Sequence, residues 1–132
     1  MAASVGATWQ VPEVHVFHGA SCTGKTFRAD QMTGSDVYKC TGSRTCLRRY
    51  SGQADVFLDD YCGELPVHLL LVLLDGRDAY SQCRRVVITS NAPPERWYPD
   101  LEDSTKRAIL RRLGRLASDQ SLGYTHITTT HT

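Results

Sequence analysis

The sequence predicts an α/β domain with a central, largely parallel sheet flanked by helices. Three observations carry this. Short β-branched and aromatic runs at residues 14–17, 54–58 and 85–89 are separated by stretches of helical character. The apolar run 65–74 is long enough for a buried helix. The chain has 132 residues, 41% hydrophobic and 22% charged, which suits one ordinary globular domain with a single core.

The elements follow in order. Val14, Val16 and Phe17 mark a first strand that ends at Gly19, and a helix runs from Lys25 to about Met32, stopped near Gly34. Residues 36–40 read as a second strand. Residues 54–58 are a third, ending at the acidic pair Asp59-Asp60. The run 65–74, apolar on nearly every side, reads as a fully buried helix. Residues 85–89 are another buried strand, with Ser90-Asn91 at its end. Pro93-Pro94 forces a turn. The period of Ile109, Leu110, Leu113 and Leu116 then predicts an amphipathic helix over 104–117, with Ser104 as its cap. The expected organisation is an N-terminal extension over 1–13, one domain over 14–124 and a flexible Thr/His-rich tail over 125–132.

Composition excludes several classes. A net charge of +1 leaves no overall basic footprint, so any nucleic-acid contact must come from local clusters. Five cysteines, at 22, 40, 46, 62 and 83, form no CxxC pair and are odd in number. That predicts free thiols in a reducing compartment rather than a disulfide framework or a zinc site. The start carries no signal-peptide pattern, and the run 65–74 is about half of what spans a bilayer. The expectation is a soluble, intracellular protein without a membrane partner.

The chemistry is concentrated in Gly19-Ala20-Ser21-Cys22-Thr23-Gly24-Lys25-Thr26, which fits G-x-x-x-x-G-K-[ST] at every defined position. Glycines let backbone N–H groups turn inward around phosphates, and the following helix N-terminus adds partial positive charge. Lys25 can reach the β- and γ-phosphates of ATP, and the Thr26 hydroxyl can ligate Mg²⁺. With a strand before and a helix after, the run reads as the phosphate-binding loop of a P-loop NTPase. Asp59-Asp60 ends a strand beside that loop, where Asp59 can hold Mg²⁺ and Asp60 can activate water. Read alone, the same pair is a solvated turn. Asn91 is either a sensor of the γ-phosphate or a turn residue before Pro93. Arg111-Arg112 is either a solvated basic face or an arginine finger completing a neighbouring subunit's site. Tyr38, Arg44, Arg48, Arg49 and Tyr50 form a basic, aromatic stretch that reads as solvated loop or as a surface facing DNA or another subunit.

In this order the motifs resemble the superfamily 3 helicase domain of replication-initiator (Rep) proteins of circular single-stranded DNA viruses, such as circoviruses and nanoviruses. The resemblance rests on His18-Gly19 through Thr26 as Walker A and Val56-Phe57-Leu58-Asp59-Asp60-Tyr61 as Walker B. It continues through Gly63-Glu64-Leu65-Pro66, then Ile88-Thr89-Ser90-Asn91 as motif C, Pro94-Glu95-Arg96-Trp97-Tyr98, and Leu110-Arg111-Arg112-Leu113. It implies an AAA+-like core that hydrolyses Mg²⁺-ATP, assembles as a homo-oligomer (a hexameric ring), has single-stranded or replicating DNA as its partner and unwinds viral DNA in the host nucleus.

Two departures qualify the transfer. Family members carry an N-terminal endonuclease with a His-hydrophobic-His metal site, whereas His15-Val16-Phe17-His18 has the wrong spacing and reads as strand, so nicking is not expected. The family's Lys/Gly-containing DNA-gripping hairpin before motif C is replaced by the shorter segment 74–85. Its Arg77, Tyr80, Arg84 and Arg85 meet phosphates and a base face, or form a plain connection. Two alternatives stand beside the helicase reading. One is a Rep remnant that binds nucleotide without unwinding DNA; the other is a small P-loop kinase, for which neither an acceptor pocket nor a basic lid is evident.

Overall fold

The computed structural model describes residues 11–21, 23–41, 43–113, 117–119 and 124–128, with only the backbone described over 117–119. The β-rich runs become β1 (Glu13–His18), β2 (Val37–Thr41), β3 (Asp55–Asp59) and β4 (Arg85–Ser90). The helical stretches become α1 (Lys25–Met32), α2 (Val67–Asp75) and α3 (Asp103–Leu113). Two further strands, β5 (Ala117–Asp119) and β6 (Thr125–Thr128), close the order.

The sheet runs β2-β3-β4-β1-β6-β5, and the first four strands are mutually parallel. β4 therefore lies between β3 and β1. Its register sets Val86 and Ile88 opposite Val14 and Val16 on one side and opposite Val56 and Leu58 on the other. Strand side chains alternate between faces, so these six residues make one apolar surface. That surface packs against Leu70, Leu73 and Leu74 of α2 and Ile109 and Leu113 of α3. Phe17, Phe57 and Val87 point the other way and meet Ala29 of α1 and Tyr124. Each fully buried aliphatic side chain contributes roughly 1.5–3 kcal/mol.

Several elements differ from the sequence expectation. α2 starts at Val67, after Pro66, and its Val67, Leu69, Leu71 and Val72 are only partly buried, so it is not the fully buried helix expected. It ends where the N–H groups of Gly76 and Arg77 return to the carbonyls of Leu73 and Val72. α3 begins at Asp103, and the Glu102 carbonyl already accepts from the N–H groups of Thr105 and Lys106. Ser104 therefore sits inside the first turn and is not the cap. The helix is described as far as Leu113, and Ala117 belongs to β5; Leu116 lies outside the described residues.

The largest departure is the expected tail. Thr125–Thr128 is β6, antiparallel to β1 with Ile127 opposite Val16 and His126 opposite Phe17. His126 stacks on Phe17 (ring centroids 4.3 Å apart) and its Nε2 lies 3.0 Å from His15 Nδ1. Thr and Ile favour strands, and an available edge of β1 converts a short polar run into sheet. Among the described residues, no helix is long and apolar enough to cross a membrane.

Candidate functional site

Parallel strands share their C-terminal ends, so β1, β3 and β4 deliver His18, Asp59 and Ser90 to one edge of the sheet. The loop after β1 starts there, its Gly19 N–H donating to the Ser90 carbonyl at 3.1 Å. Gly24 ends it in a left-handed conformation (φ 90°) that L side chains resist, and α1 follows directly. The Arg28 N–H donates to the Gly24 carbonyl at 3.0 Å.

Lys25 is the first helical residue and is 7% exposed. Its Nζ folds back into the loop, donating to the Gly19 carbonyl at 2.9 Å, to the Ala20 carbonyl, and to Thr23 Oγ1 at 3.4 Å. Thr23 Oγ1 in turn donates to the Ala20 carbonyl at 3.0 Å. A buried ammonium is thus stored on backbone oxygens at the loop's mouth, where a better-matched anion can replace them.

Across the cleft, Asp59 Oδ1 accepts from Thr26 Oγ1 at 3.0 Å and from Thr89 Oγ1 at 2.7 Å. Thr89 Oγ1 also accepts the Asp60 N–H at 2.8 Å. Thr89 is 2% exposed, so both its donor and its acceptor capacity are spent inside the protein. Asp60 has φ 58°, unusual for a non-glycine residue, and its backbone is held there by this bond. The Tyr61 N–H donates to the Thr89 carbonyl at 2.7 Å, pinning the turn after β3 onto β4.

Behind the cleft, Ser90 is fully buried, and its Oγ accepts from the Ala92 N–H and from Trp97 Nε1, both at 3.0 Å. Trp97 meets Tyr61 edge-on, with ring centroids 5.0 Å apart. The Tyr61 and Tyr98 hydroxyls bond one another, and Tyr98 also donates to the Leu65 carbonyl at 2.6 Å. Burial is the first cause raising the Tyr61 phenol above its ordinary range. Half-buried His18 is shifted the other way: desolvation lowers its pKa, Lys25 adds to that, and Glu95 opposes it.

The cleft has a volume of about 340 Å³ and is lined by Ser21, Gly24, Lys25, Thr26, Asp59, Asp60, Thr89 and Asn91. Seven of these come from the sequence-based candidates, drawn from three separate segments. Gly19 and Ala20 serve Lys25 through their carbonyls, and Cys22 lies outside the described residues. Thr89 and Ser90 carry the bonding, although within the Ile88-Thr89-Ser90-Asn91 run the sequence assigns a role to Asn91 alone. A polar pair at the end of an otherwise apolar strand was the available signal. Thr26 and Asp59 supply two hard oxygen donors on one wall, a set that suits Mg²⁺ completed by phosphate and water rather than a full protein cage. No group of three or more His, Cys, Asp or Glu side chains that could hold a metal occurs among the described residues.

Other candidates fall elsewhere. Neither Arg111 nor Arg112 is among the residues lining the cleft. Arg112 Nε bonds Asp75 Oδ1 at 2.7 Å and its Nη1 the Ala108 carbonyl at 3.0 Å, which ties α3 to α2, whereas Arg111 is exposed. Arg85 is engaged within the protein. It bonds the Met32 carbonyl and lies 3.5 Å from Glu13 and 3.7 Å from Asp55. Tyr80 is 7% exposed and packs on Tyr50, which in turn meets Tyr38 edge-on, so these rings are occupied internally rather than open to a base.

Comparison with known proteins adds an independent observation. No protein-family model matches the chain. Over 113 residues, 79% of its length, it is 34% identical to the replication-associated protein of Beak and feather disease virus. The chain is similar to circovirus replication-associated proteins. The corresponding proteins of Canary circovirus (38% over 98 residues, 67% of the chain) and Porcine circovirus 1 (32% over 113 residues, 78%) agree. The chain spans between 33% and 38% of the length of these three relatives.

Proposed function

We propose that this chain is a P-loop ATPase domain of the superfamily 3 type, binding and hydrolysing Mg²⁺-ATP in a protein of viral DNA replication. The observation that carries the reading is the bonded set Thr26–Asp59–Thr89–Asp60 facing Lys25 across one cleft. Similarity to replication-associated proteins supports the replication context.

The residues divide the work by position. The loop N–H groups and the α1 N-terminus favour an anionic phosphate chain. Lys25, released from the Gly19 and Ala20 carbonyls, neutralises charge on the terminal phosphates. Thr26 and Asp59 would hold Mg²⁺, which supplies charge neutralisation when bound. Asp60, with its backbone fixed by Thr89, orients and deprotonates the attacking water, and the Asn91 amide senses the terminal phosphate. Such chemistry needs positioning and charge stabilisation more than covalent help. Arg111, exposed on α3, is the finger offered to a neighbouring copy in a ring; Arg112 is committed to Asp75. Binding of single-stranded or replicating DNA, and unwinding of the duplex viral DNA, belong to the same proposal.

The test is ATP turnover by the wild-type chain against Lys25→Ala, with strand displacement measured in parallel. Mg²⁺-dependent turnover lost in the variant is expected. Equal turnover in both would remove the enzyme reading, and turnover without displacement would leave a nucleotidase that does not unwind DNA.

A further inference from the structure

Outside the cleft, the chain brings two cysteines into direct contact. Cys40 lies near the end of β2, and Cys46 lies in the turn-rich segment that follows; their Sγ atoms are 3.0 Å apart. Both are free thiols of intermediate exposure. We propose that Cys40 and Cys46 form an oxidisable dithiol, a modification site that closes to an internal disulfide on meeting a small anionic disulfide such as oxidised glutathione.

The backbone holds the pair in place. Cys40 is opposite Leu58 in the β2–β3 register, which anchors one sulfur to the sheet. The Cys46 carbonyl accepts from the Tyr38 hydroxyl, and the neighbouring Leu47 is 4% exposed within the core. Turn bonds from Cys46 N–H to the Ser43 carbonyl (3.2 Å) and from Tyr50 N–H to the Leu47 carbonyl (3.0 Å) fix the other sulfur. The sulfurs stand about 1 Å beyond the ~2.05 Å of a disulfide bond. The other described cysteines lack this arrangement: Cys62 is exposed, and buried Cys83 donates to the Arg85 carbonyl at 3.3 Å.

The setting of each sulfur decides the order of events. Burial, with the Cys46 contact, pushes the Cys40 thiol up, and Cys46 is the sulfur carried on the turn, so reaction starts at Cys46. Exposed Arg44 and Arg48 flank it and attract an anionic reagent. The Cys46 thiolate attacks one sulfur of the reagent, breaking its S–S bond and releasing one glutathione thiolate. Cys40 then loses its proton to solvent and attacks Cys46 Sγ, releasing the second glutathione. The protein loses two electrons and two protons; the reagent gains the electrons and becomes two thiols.

The experiment incubates the folded full chain with oxidised glutathione, quenches with acid, alkylates and maps peptides by mass. The expected result is a Cys40–Cys46 crosslink that has lost two hydrogens, with Cys62 carrying at most a glutathione adduct. Because the fold supplies proximity, the crosslink should form on the order of tenfold or more faster than in the same chain in denaturant. Equal rates in both states, stable glutathione adducts on Cys40 and Cys46, or pairing with Cys62 or Cys83 would each overturn the proposal. This test is independent of ATP turnover.

Discussion

Thr26 and Asp59, 33 residues apart in sequence, meet across the cleft, with the Thr26 hydroxyl donating to Asp59 Oδ1 at 3.0 Å. The same oxygen accepts Thr89 at 2.7 Å, so the carboxylate is aimed by one hydroxyl from α1 and one from β4. A metal at Thr26 and Asp59 would be positioned by both elements together.

That arrangement predicts a separation between hydroxyl and shape at position 26. Thr26→Ser keeps the oxygen and should retain Mg²⁺-dependent ATP turnover within a few-fold. Thr26→Val keeps the volume but loses the ligand, and turnover should fall by about 10²-fold or more. Stability should change little, because the bond is solvent-exposed. Steady-state turnover alongside urea unfolding checks both halves; equal activity of the Val and Ser variants would remove Thr26 from the metal site.

Two glycines predict opposite kinds of damage. A Cβ at Gly63 would sit 2.0 Å from the Trp97 carbonyl oxygen, and its φ of 87° is left-handed as well. Gly63→Ala should therefore cost about 2–4 kcal/mol, combining overpacking with backbone strain. At Gly24 (φ 90°) nothing lies within 4 Å of the same position, leaving only the conformational term of about 1–2 kcal/mol. Chemical denaturation of the two variants should rank them in that order.

These contrasts show where sequence reasoning reached and where it stopped. The loop 19–26 was legible because its chemistry is local: glycines, lysine and threonine at set spacing before a helix. Asp59 was legible because an apolar strand ends on it. Thr89 was not, since its role depends on β4 lying between β3 and β1, a matter of strand order that no local pattern encodes. β6 was missed for the same reason; Thr125–Thr128 carries little apolar signal, and only the edge of β1 makes it a strand. The contact between Cys40 and Cys46 depends on how the chain turns back after β2, so spacing alone could not reveal it.

The two adjacent arginines of α3 should behave differently. Arg112 makes a part-buried ion pair with Asp75, and Arg112→Ala should cost about 1 kcal/mol of stability. Arg111 is exposed, and Arg111→Ala should shift stability by less than about 0.5 kcal/mol. Its effect belongs to turnover. If Arg111 acts in trans, mixing inactive Arg111→Ala with inactive Lys25→Ala should restore partial ATP turnover, because mixed assemblies contain some intact sites. No recovery in assemblies shown to mix would place the finger elsewhere.

His18 predicts a pH dependence near the cleft. Desolvation, aided by Lys25 and opposed by Glu95, holds its imidazole below the ordinary 6.5. The unfolded chain therefore takes up the proton first as pH falls. The stability contributed by neutral His18 is complete above about pH 6.5 and is lost as pH drops from there through the folded pKa. Glu13 is also depressed, chiefly by its hydrogen bond from His15, but its loss comes lower, below the ordinary 4.5. Urea midpoints measured between about pH 7.5 and 5.5 thus separate the two groups. The midpoint of the wild type should fall across that window, and His18→Gln should make the fall shallower. Glu95→Gln removes the charge that favours the imidazolium, so it should extend the decline toward lower pH. Parallel slopes in the wild type and His18→Gln would mean that another group carries the titration.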